Sequence, residues 1–225
     1  MSLRAERMAM LLAAAGADTD ATAAPRPSLN DLPEHAASAV LDCYRRLGGR
    51  HEHPRLRPGG WDIALPDTMV ELDEHLHFNR YRALTLDAPI YNELQGFPVA
   101  TYAQFCREHE ADCRAAGSYG GKWSNPSCEK HFGPAGPLGH LDGAGAPRWR
   151  QRALYDFMKD LSPLIEITPV ARIAIWDELP GLDGITVEKA LTAEPLDLEA
   201  GHALLRLVES RAAGGEDTTP RTGPQ

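Results

Sequence analysis

The sequence predicts a mixed α+β domain, in which helices and a few short strands follow one another along the chain. Two short strand-like runs, Trp61–Leu65 and Thr68–Asp73, flank a Pro66-Asp67 break and predict a hairpin. A further alternating run, Arg172–Asp177, predicts a later strand. Apolar residues at helical spacing fill most of the segments between and around these runs. This order of elements is typical of an α/β or α+β fold.

The helices are predicted from capping residues and apolar spacing. Asn30 and Asp31 provide N-cap chemistry for a first helix that ends at Gly48-Gly49. A second helix is expected from Thr101 to Ala116, because Gln104 completes a capping box. Two further helices are expected, one opening at Pro147 and continuing through Asp160, and one capped by Asp197. Residues 117–145 contain eight glycines and are expected to form a long loop.

The length of 225 residues suits one domain with tails. Residues 1–27 are expected to form a short helix and a flexible linker, residues 28–212 a single domain, and residues 213–225 a disordered tail. Apolar residues make up 43% of the chain, which is enough for a buried core. No apolar run approaches the ~18 residues of a membrane span, so no membrane association is expected.

The formal net charge of -9 argues against indiscriminate coating of nucleic acid or of an acidic membrane. It does not exclude a nucleic-acid enzyme, because local patches and a bound metal ion decide binding at a site. Four cysteines in a chain of this length do not form a disulfide scaffold. Reduced thiols and a cytoplasmic location are the simplest interpretation. The sequence does not indicate an oligomeric state.

The hairpin carries the most informative group of side chains. If the turn is symmetric about Pro66-Asp67, Asp62 lies opposite Glu71, and their Cβ atoms are ~5 Å apart on one face. Glu71 and Asp73 share that face because they are two residues apart on one strand. Three carboxylates are therefore predicted to converge, while Val70 and Leu72 point into the core.

Three carboxylates at this range repel one another and call for a compensating cation. Hard oxygen ligands favour Mg²⁺ or Mn²⁺, so Asp62, Glu71 and Asp73 are candidate metal ligands. His75 and His77 would lie on the same face if the strand continued. The alternative is an ordinary exposed hairpin face with its charges in water.

The run from Leu32 to Arg82 resembles the core of the PD-(D/E)XK nuclease superfamily, the restriction-endonuclease-like fold. Asp62 and Glu71-Leu72-Asp73 match its acidic motif, and the following EHLHFNRYR is similar to very-short-patch-repair-like endonucleases. The resemblance implies a central mixed β-sheet flanked by helices and Mg²⁺-dependent or Mn²⁺-dependent hydrolysis of DNA. Asp73 stands where the usual lysine is expected, so His75 or His77 would have to replace it as the catalytic group.

Basic side chains are the candidates for DNA contact. The helix after Pro147 has a polar, basic face, and its Gln151-x-x-x-Tyr155 pair is similar to a motif of RecB-like members of the superfamily. Such a face can contact successive phosphates, or it can be an ordinary solvated face with long side chains. The candidate DNA-binding residues are Arg80, Arg82, Arg148, Gln151, Arg152 and Tyr155.

A second candidate metal site involves cysteine and histidine. Cys106 and Cys113 share a helix face, and Cys128 and His131 follow across the glycine-rich region. Four such ligands would suit a structural Zn²⁺. The spacing lacks a paired CxxC motif, and buried free cysteines that simply pack inward are the competing interpretation.

The leading functional hypothesis is therefore a metal-dependent DNA endonuclease, a hydrolase of phosphodiester bonds, in which the metal activates water. The main alternative is a catalytically inactive nucleic-acid-binding or interaction protein on the same fold. A small metal-dependent hydrolase acting on another substrate is the third class.

Overall fold

The computed structural model describes residues 2–94, 96–165 and 169–214. Three strands form the sheet: β1 (Ile63–Leu65), β2 (Thr68–Asp73) and β3 (Val170–Ala174). Short 3₁₀ helices lie at His75–His77, Pro89–Glu93 and Ser162–Ile165. The α-helices of the described residues are α1 (Leu3–Ala14), α2 (Glu34–Arg46), α3 (Arg80–Leu86), α4 (Val99–Glu108), α5 (Glu110–Gly117), α6 (Gly120–Trp123), α7 (Pro126–Phe132), α8 (Pro147–Asp160), α9 (Val187–Thr192) and α10 (Leu198–Ala212).

The sheet has the order β1-β2-β3 and is mixed, with β1 antiparallel and β3 parallel to the central β2. Leu65 pairs with Thr68 and Ile63 with Val70, so the predicted hairpin register is confirmed. The parallel β2–β3 pair needs a long crossover, and the chain supplies it through the helices α3 to α8. The molecule is thus a mixed α+β protein with a small sheet flanked by helices.

Helices cover the sheet, and every residue of β2 is buried as a result. The face that carries Glu71 and Asp73 contacts α8 through hydrogen-bonded ion pairs. Helix α10 packs against β3, and α1 packs against α10. Apolar side chains from all these elements join one continuous core.

The predicted N-terminal helix is confirmed as α1, and it is part of that core. Its buried side chains are Ala5, Met8, Leu11 and Leu12. The segment expected to be a linker also contacts the rest of the protein, since Trp61 Nε1 donates a hydrogen bond to the Ala24 carbonyl at 2.9 Å. Residues 1–27 therefore do not stand apart from the domain that was expected to begin at residue 28.

Several predicted element bounds need correction. Helix α2 begins at Glu34 because the Asp31 carboxylate accepts hydrogen bonds from Ser28 N and Oγ and forms a turn there. The single helix predicted from Thr101 to Ala116 is two helices, α4 and α5, which meet at His109. The region predicted as a long loop contains α6 and α7.

The predicted helix at residues 147–160 is confirmed as α8 and the last helix as α10, which Asp197 caps through its side chain. The predicted third strand is found two residues earlier, as β3. Within the described residues, none of the helices is both long and apolar enough to cross a membrane. The expected tail lies outside the described residues from residue 215 onward.

Candidate functional site

A polar cleft of about 290 Å³ opens between the hairpin and α8. The hairpin contributes acidic groups to one wall, and α8 contributes basic and polar groups to the other. The side chains or backbone atoms that line it belong to Ser2, Gly59, Asp62, Glu71, Leu72, Glu74, His77, Arg148, Gln151, Arg152, Tyr155, Asp156 and Lys159.

Asp62 and Glu71 share this cleft, as the hairpin register predicts. Asp62 lies directly before β1, and its Oδ2 accepts a hydrogen bond from the backbone N–H of Leu72 at 3.0 Å. This bond fixes the carboxylate across the hairpin from β2. Glu71 is 4% exposed and projects toward α8. Two of the three carboxylates that the sequence predicts to converge therefore line one cleft.

Lys159 of α8 is the closest cation to Glu71. Its ammonium donates hydrogen bonds to Glu71 Oε1 at 2.6 Å and to the Gly60 carbonyl at 2.7 Å. It also lies 5.2 Å from the centre of the Trp61 ring, within the range of a cation–π contact. A lysine from α8 thus lies beside the carboxylate of β2 that lines the cleft.

The environment of Glu71 disfavours its charge. Burial raises the pKa of Glu71 to about 7, although the cations of Arg172 and Lys159 act in the opposite direction, and the Asp62 carboxylate adds to the increase. Within the described residues, the hydrogen bonds found for the two carboxylates use Asp62 Oδ2 and Glu71 Oε1. A divalent cation bound between them would relieve their repulsion, and this donor set fits Mg²⁺.

The position of Asp73 contradicts the prediction of one centre with three carboxylates. It lies on the same face as Glu71 but does not line the cleft, because its Oδ1 pairs with Arg172 at 2.6 Å and lies 2.9 Å from His77 Nδ1. Burial opposes the change, but the Arg172 and His77 charges lower the pKa of Asp73. The carboxylates of Asp62, Glu71 and Asp73 do not come within 4.8 Å of one another as a group.

The two histidines also differ from the prediction, because β2 ends at Asp73 and a 3₁₀ helix follows. His75 lies away from the cleft, 3.5 Å from Glu188 and against the Trp176 ring. His77 lines the cleft, with Nδ1 2.8 Å from Asp156 Oδ2. Although burial lowers it, the charges of Asp156 and Asp73 raise the pKa of His77 to about 9.

Helix α8 forms the basic wall, as its polar face predicts. Arg148, Gln151, Arg152 and Tyr155 all line the cleft, and Gln151 Nε2 lies 3.5 Å from the Tyr155 hydroxyl. Arg148 and Arg152 are partly buried rather than fully in water, because α8 lies between α2, α3 and α7 as well as above the sheet. Burial lowers the pKa of Arg152, whose guanidinium is 3.5 Å from the Leu76 carbonyl.

Neither Arg80 nor Arg82 is placed to contact DNA in this cleft. Arg82 is 1% exposed and is held by Asp160 at 2.7 Å and by the Tyr91 hydroxyl at 3.0 Å, so it is a core residue. Arg80 is exposed, but it pairs with Glu110 and Asp142 and does not line the cleft. The prediction for Arg82 is wrong because a buried carboxylate 78 positions later supplies its partner.

The cysteine and histidine set does not form a zinc site in this structure. Cys106, Cys113 and Cys128 are all buried as free thiols. Cys128 caps α7 by exchanging hydrogen bonds with the backbone of Asn125, and Cys113 accepts from the Asn79 amide. In the described part of the chain, the metal-ligating group that does converge consists of Asp73, His77 and Asp156.

Sequence reasoning placed Lys159 on the polar, basic face of the helix after Pro147 but not beside the acidic hairpin, and it assigned no site role to Asp156 or Arg172. Lys159 recurs on the polar face of α8, four residues after Tyr155, and that spacing is the available signal. The pairing of Lys159 with Glu71 spans 88 positions, so one sequence cannot reveal it. Arg172 lies in a strand that was predicted from alternation. It is buried and forms ion pairs with Asp73, Asp156 and Asp160.

The chain belongs to a family of unknown function, DUF7255, whose profile matches residues 42–193. The matched span begins within α2 and ends just after α9, so it contains every residue that lines the cleft except Ser2. No curated protein and no solved structure matches the chain significantly.

Proposed function

We propose that this protein is a metal-dependent DNA endonuclease with a restriction-endonuclease-like core. The observation that carries the proposal is the position of Lys159, whose ammonium lies 2.6 Å from Glu71 in a cleft that also contains Asp62. The PD-(D/E)XK nucleases, which the sequence resembles, use two carboxylates and a lysine. Here the lysine comes from α8 instead of β2.

The order of elements supports the same proposal. Helix α2 precedes the β1–β2 hairpin, and α8 then precedes β3, which joins β2 in parallel. The resemblance implies this sequence of helix, acidic hairpin, helix and strand. The three strands make a minimal version of such a sheet.

The side chains that line the cleft would have separate roles in hydrolysis. Asp62 and Glu71 would hold Mg²⁺ or Mn²⁺, which supplies an activated water and neutralises charge on the phosphate. Lys159 would stabilise charge that develops on the attacked phosphate, and Arg148 and Arg152 would bind neighbouring phosphates. The water oxygen bonds to phosphorus as the ester P–O bond breaks, and a proton from water ends on the leaving oxygen.

The experiment is a cleavage assay of the purified full chain on supercoiled, linear and single-stranded DNA, with Mg²⁺ or Mn²⁺ and with EDTA as the blank. We expect Glu71→Gln and Lys159→Met each to reduce cleavage by about 100-fold or more, the usual cost of losing one stabilising group in an active site. Lys189→Met is the matched control, because Lys189 also donates to a glycine carbonyl but is exposed and does not line the cleft.

Circular dichroism verifies that each variant is folded. Wild-type protein that cleaves none of these substrates with either ion would contradict the proposal. Cleavage that persists in Glu71→Gln would show that the active site lies elsewhere.

A specific observation favours a second candidate, a catalytically inactive nucleic-acid-binding or interaction protein on the same fold. Glu71 and Asp73 are already neutralised by Lys159 and Arg172, so the carboxylates do not strictly require a metal ion. On this alternative, DNA binds the α8 wall without being cut. Binding that Arg148→Gln weakens, in wild-type protein without metal-dependent cleavage, would favour it.

A further inference from the structure

A second group of ligands lies beside the acidic hairpin, where β2 passes into the 3₁₀ helix. Asp73, His77 and Asp156 each offer one ligand atom, and these atoms all lie within 4.8 Å of one another. Asp73 and His77 are four residues apart, and Asp156 approaches from α8. His77 and Asp156 line the cleft, so an ion from solvent can reach them.

The hydrogen bonds of this group do not satisfy all of its buried polar atoms. His77 Nδ1 lies 2.9 Å from Asp73 Oδ1 and 2.8 Å from Asp156 Oδ2, but a ring nitrogen carries at most one hydrogen to donate. The hydrogen-bond geometry is met toward Asp156. Asp73 is 1% exposed, and its second oxygen, Oδ2, has no hydrogen-bond partner among the described residues. A buried carboxylate oxygen without a partner is costly unless something else satisfies it.

The surrounding charges hold the ligands in position. Arg172 donates to Asp73 Oδ1 at 2.6 Å and to the Asp156 backbone carbonyl at 3.0 Å. Such outer contacts orient ligating carboxylates in metal centres. One imidazole nitrogen with two carboxylates suits Zn²⁺ or Mn²⁺, whereas Mg²⁺ prefers ligands that are all oxygen.

We propose that Asp73, His77 and Asp156 bind one divalent transition-metal ion of the Zn²⁺ or Mn²⁺ class, at a site separate from Asp62 and Glu71. The three protein ligands leave positions open toward the cleft for water or for an anionic ligand. The inference does not depend on nuclease activity, because the site needs neither Asp62 nor Lys159.

Equilibrium dialysis of the full chain against Zn²⁺, and separately against Mn²⁺, tests the site. We expect this cluster to hold one ion in the wild-type chain, and the binding of that ion to be at least about tenfold weaker in His77→Gln and in Asp156→Asn. His75→Gln is the matched control, because His75 lies in the same 3₁₀ helix but contacts Glu188 and Trp176 instead of the cluster. Its binding should equal that of wild type.

A readout that needs no variant is the NMR signal of the histidine rings, since Zn²⁺ should shift the His77 signals and leave those of His75 in place. The proposal is overturned if wild-type protein binds neither ion, or if His77→Gln binds as well as wild type. Loss of binding in Glu71→Gln with retention in His77→Gln would also overturn it, because the ion would then lie at Asp62 and Glu71. Ion binding as expected in a protein that cleaves no DNA would support this site and contradict only the nuclease proposal.

Discussion

At the scale of single residues, Glu71 combines a buried ion pair with a position on the wall of a cleft. It is 4% exposed, its carboxylate touches the ammonium of Lys159 at 2.6 Å, and it lines the same cleft as Asp62. Burial raises its pKa to about 7 in spite of two neighbouring cations. Carboxylates with a displaced pKa in a cleft are candidates for function, because burial and neighbouring charges are how proteins adjust them.

The displaced pKa of Glu71 predicts a specific dependence of stability on pH. In the unfolded chain the carboxyl ionises near 4.5, and in the folded protein near 7, so between these values the unfolded state binds fewer protons. Stability contributed by this residue therefore falls as pH rises through that window. Across this pH window, the free energy of unfolding of wild type should decrease by up to about 3 kcal/mol relative to that of Glu71→Gln, because one pKa unit corresponds to about 1.4 kcal/mol.

Urea unfolding of both proteins in EDTA, from below pH 4.5 to above pH 7, measures this difference. Effects of the glutamine that do not vary with pH, such as its weaker bond to Lys159, cancel from the slope. A difference that stays constant over the window would show that Glu71 has an ordinary carboxyl pKa in the folded protein.

At the scale of elements, the contact between α1 and α10 depends on a residue without a side chain. A Cβ atom at Gly201 would lie 2.9 Å from the backbone carbonyl oxygen of Leu11, and backbone cannot move aside as a flexible side chain can. This close approach joins the N-terminal helix to the helix that supports β3. Gly201 is therefore a packing requirement near the start of α10, at a helical position where alanine would otherwise be favoured.

The substitution Gly201→Ala should lower the free energy of unfolding by about 1–3 kcal/mol, the usual cost of overpacking. Gly121→Ala is the control, because Gly121 is also helical and a Cβ there would meet nothing within 4 Å. Alanine at this exposed position should be neutral or stabilise by up to about 1 kcal/mol. Urea unfolding compares the two, and a stabilised Gly201→Ala protein would contradict the packing of α1 on α10.

Elements differ in how well the sequence reveals them. The hairpin register follows from the Pro66-Asp67 turn and from alternation, which are both local, and α8 follows from apolar residues at helical spacing. The break at His109 could not be predicted in this way, because its ring stacks on Trp176, 67 positions away, with 3.8 Å between the centres. Local sequence patterns predict that an element is present, whereas tertiary contacts such as this one determine where it ends.

At the scale of the whole molecule, the same limit applies to the charges of the candidate site. Spacing on β2 correctly placed Glu71 and Asp73 on one face, but it could not show that α8 and β3 supply a cation for each of them. Arg172 and Lys159 approach from positions 88 or more residues away. The fold therefore divides the predicted cluster of three carboxylates, because Asp62 and Glu71 line the cleft while Asp73 lies with His77 and Asp156.

The four cysteines provide a test of how completely the core is closed. All four are buried, and burial raises the pKa of Cys43 and Cys106 to about 11 and that of Cys113 to about 12. Because the thiolate is the reactive form, iodoacetamide should modify none of them in the native protein during a period in which all four react in denaturant. Mass spectrometry counts the labels.

Since the thiols do not converge on a metal ion, EDTA should leave this protection unchanged. Rapid native labelling would contradict the closed core, and labelling that begins only with EDTA would restore the zinc interpretation.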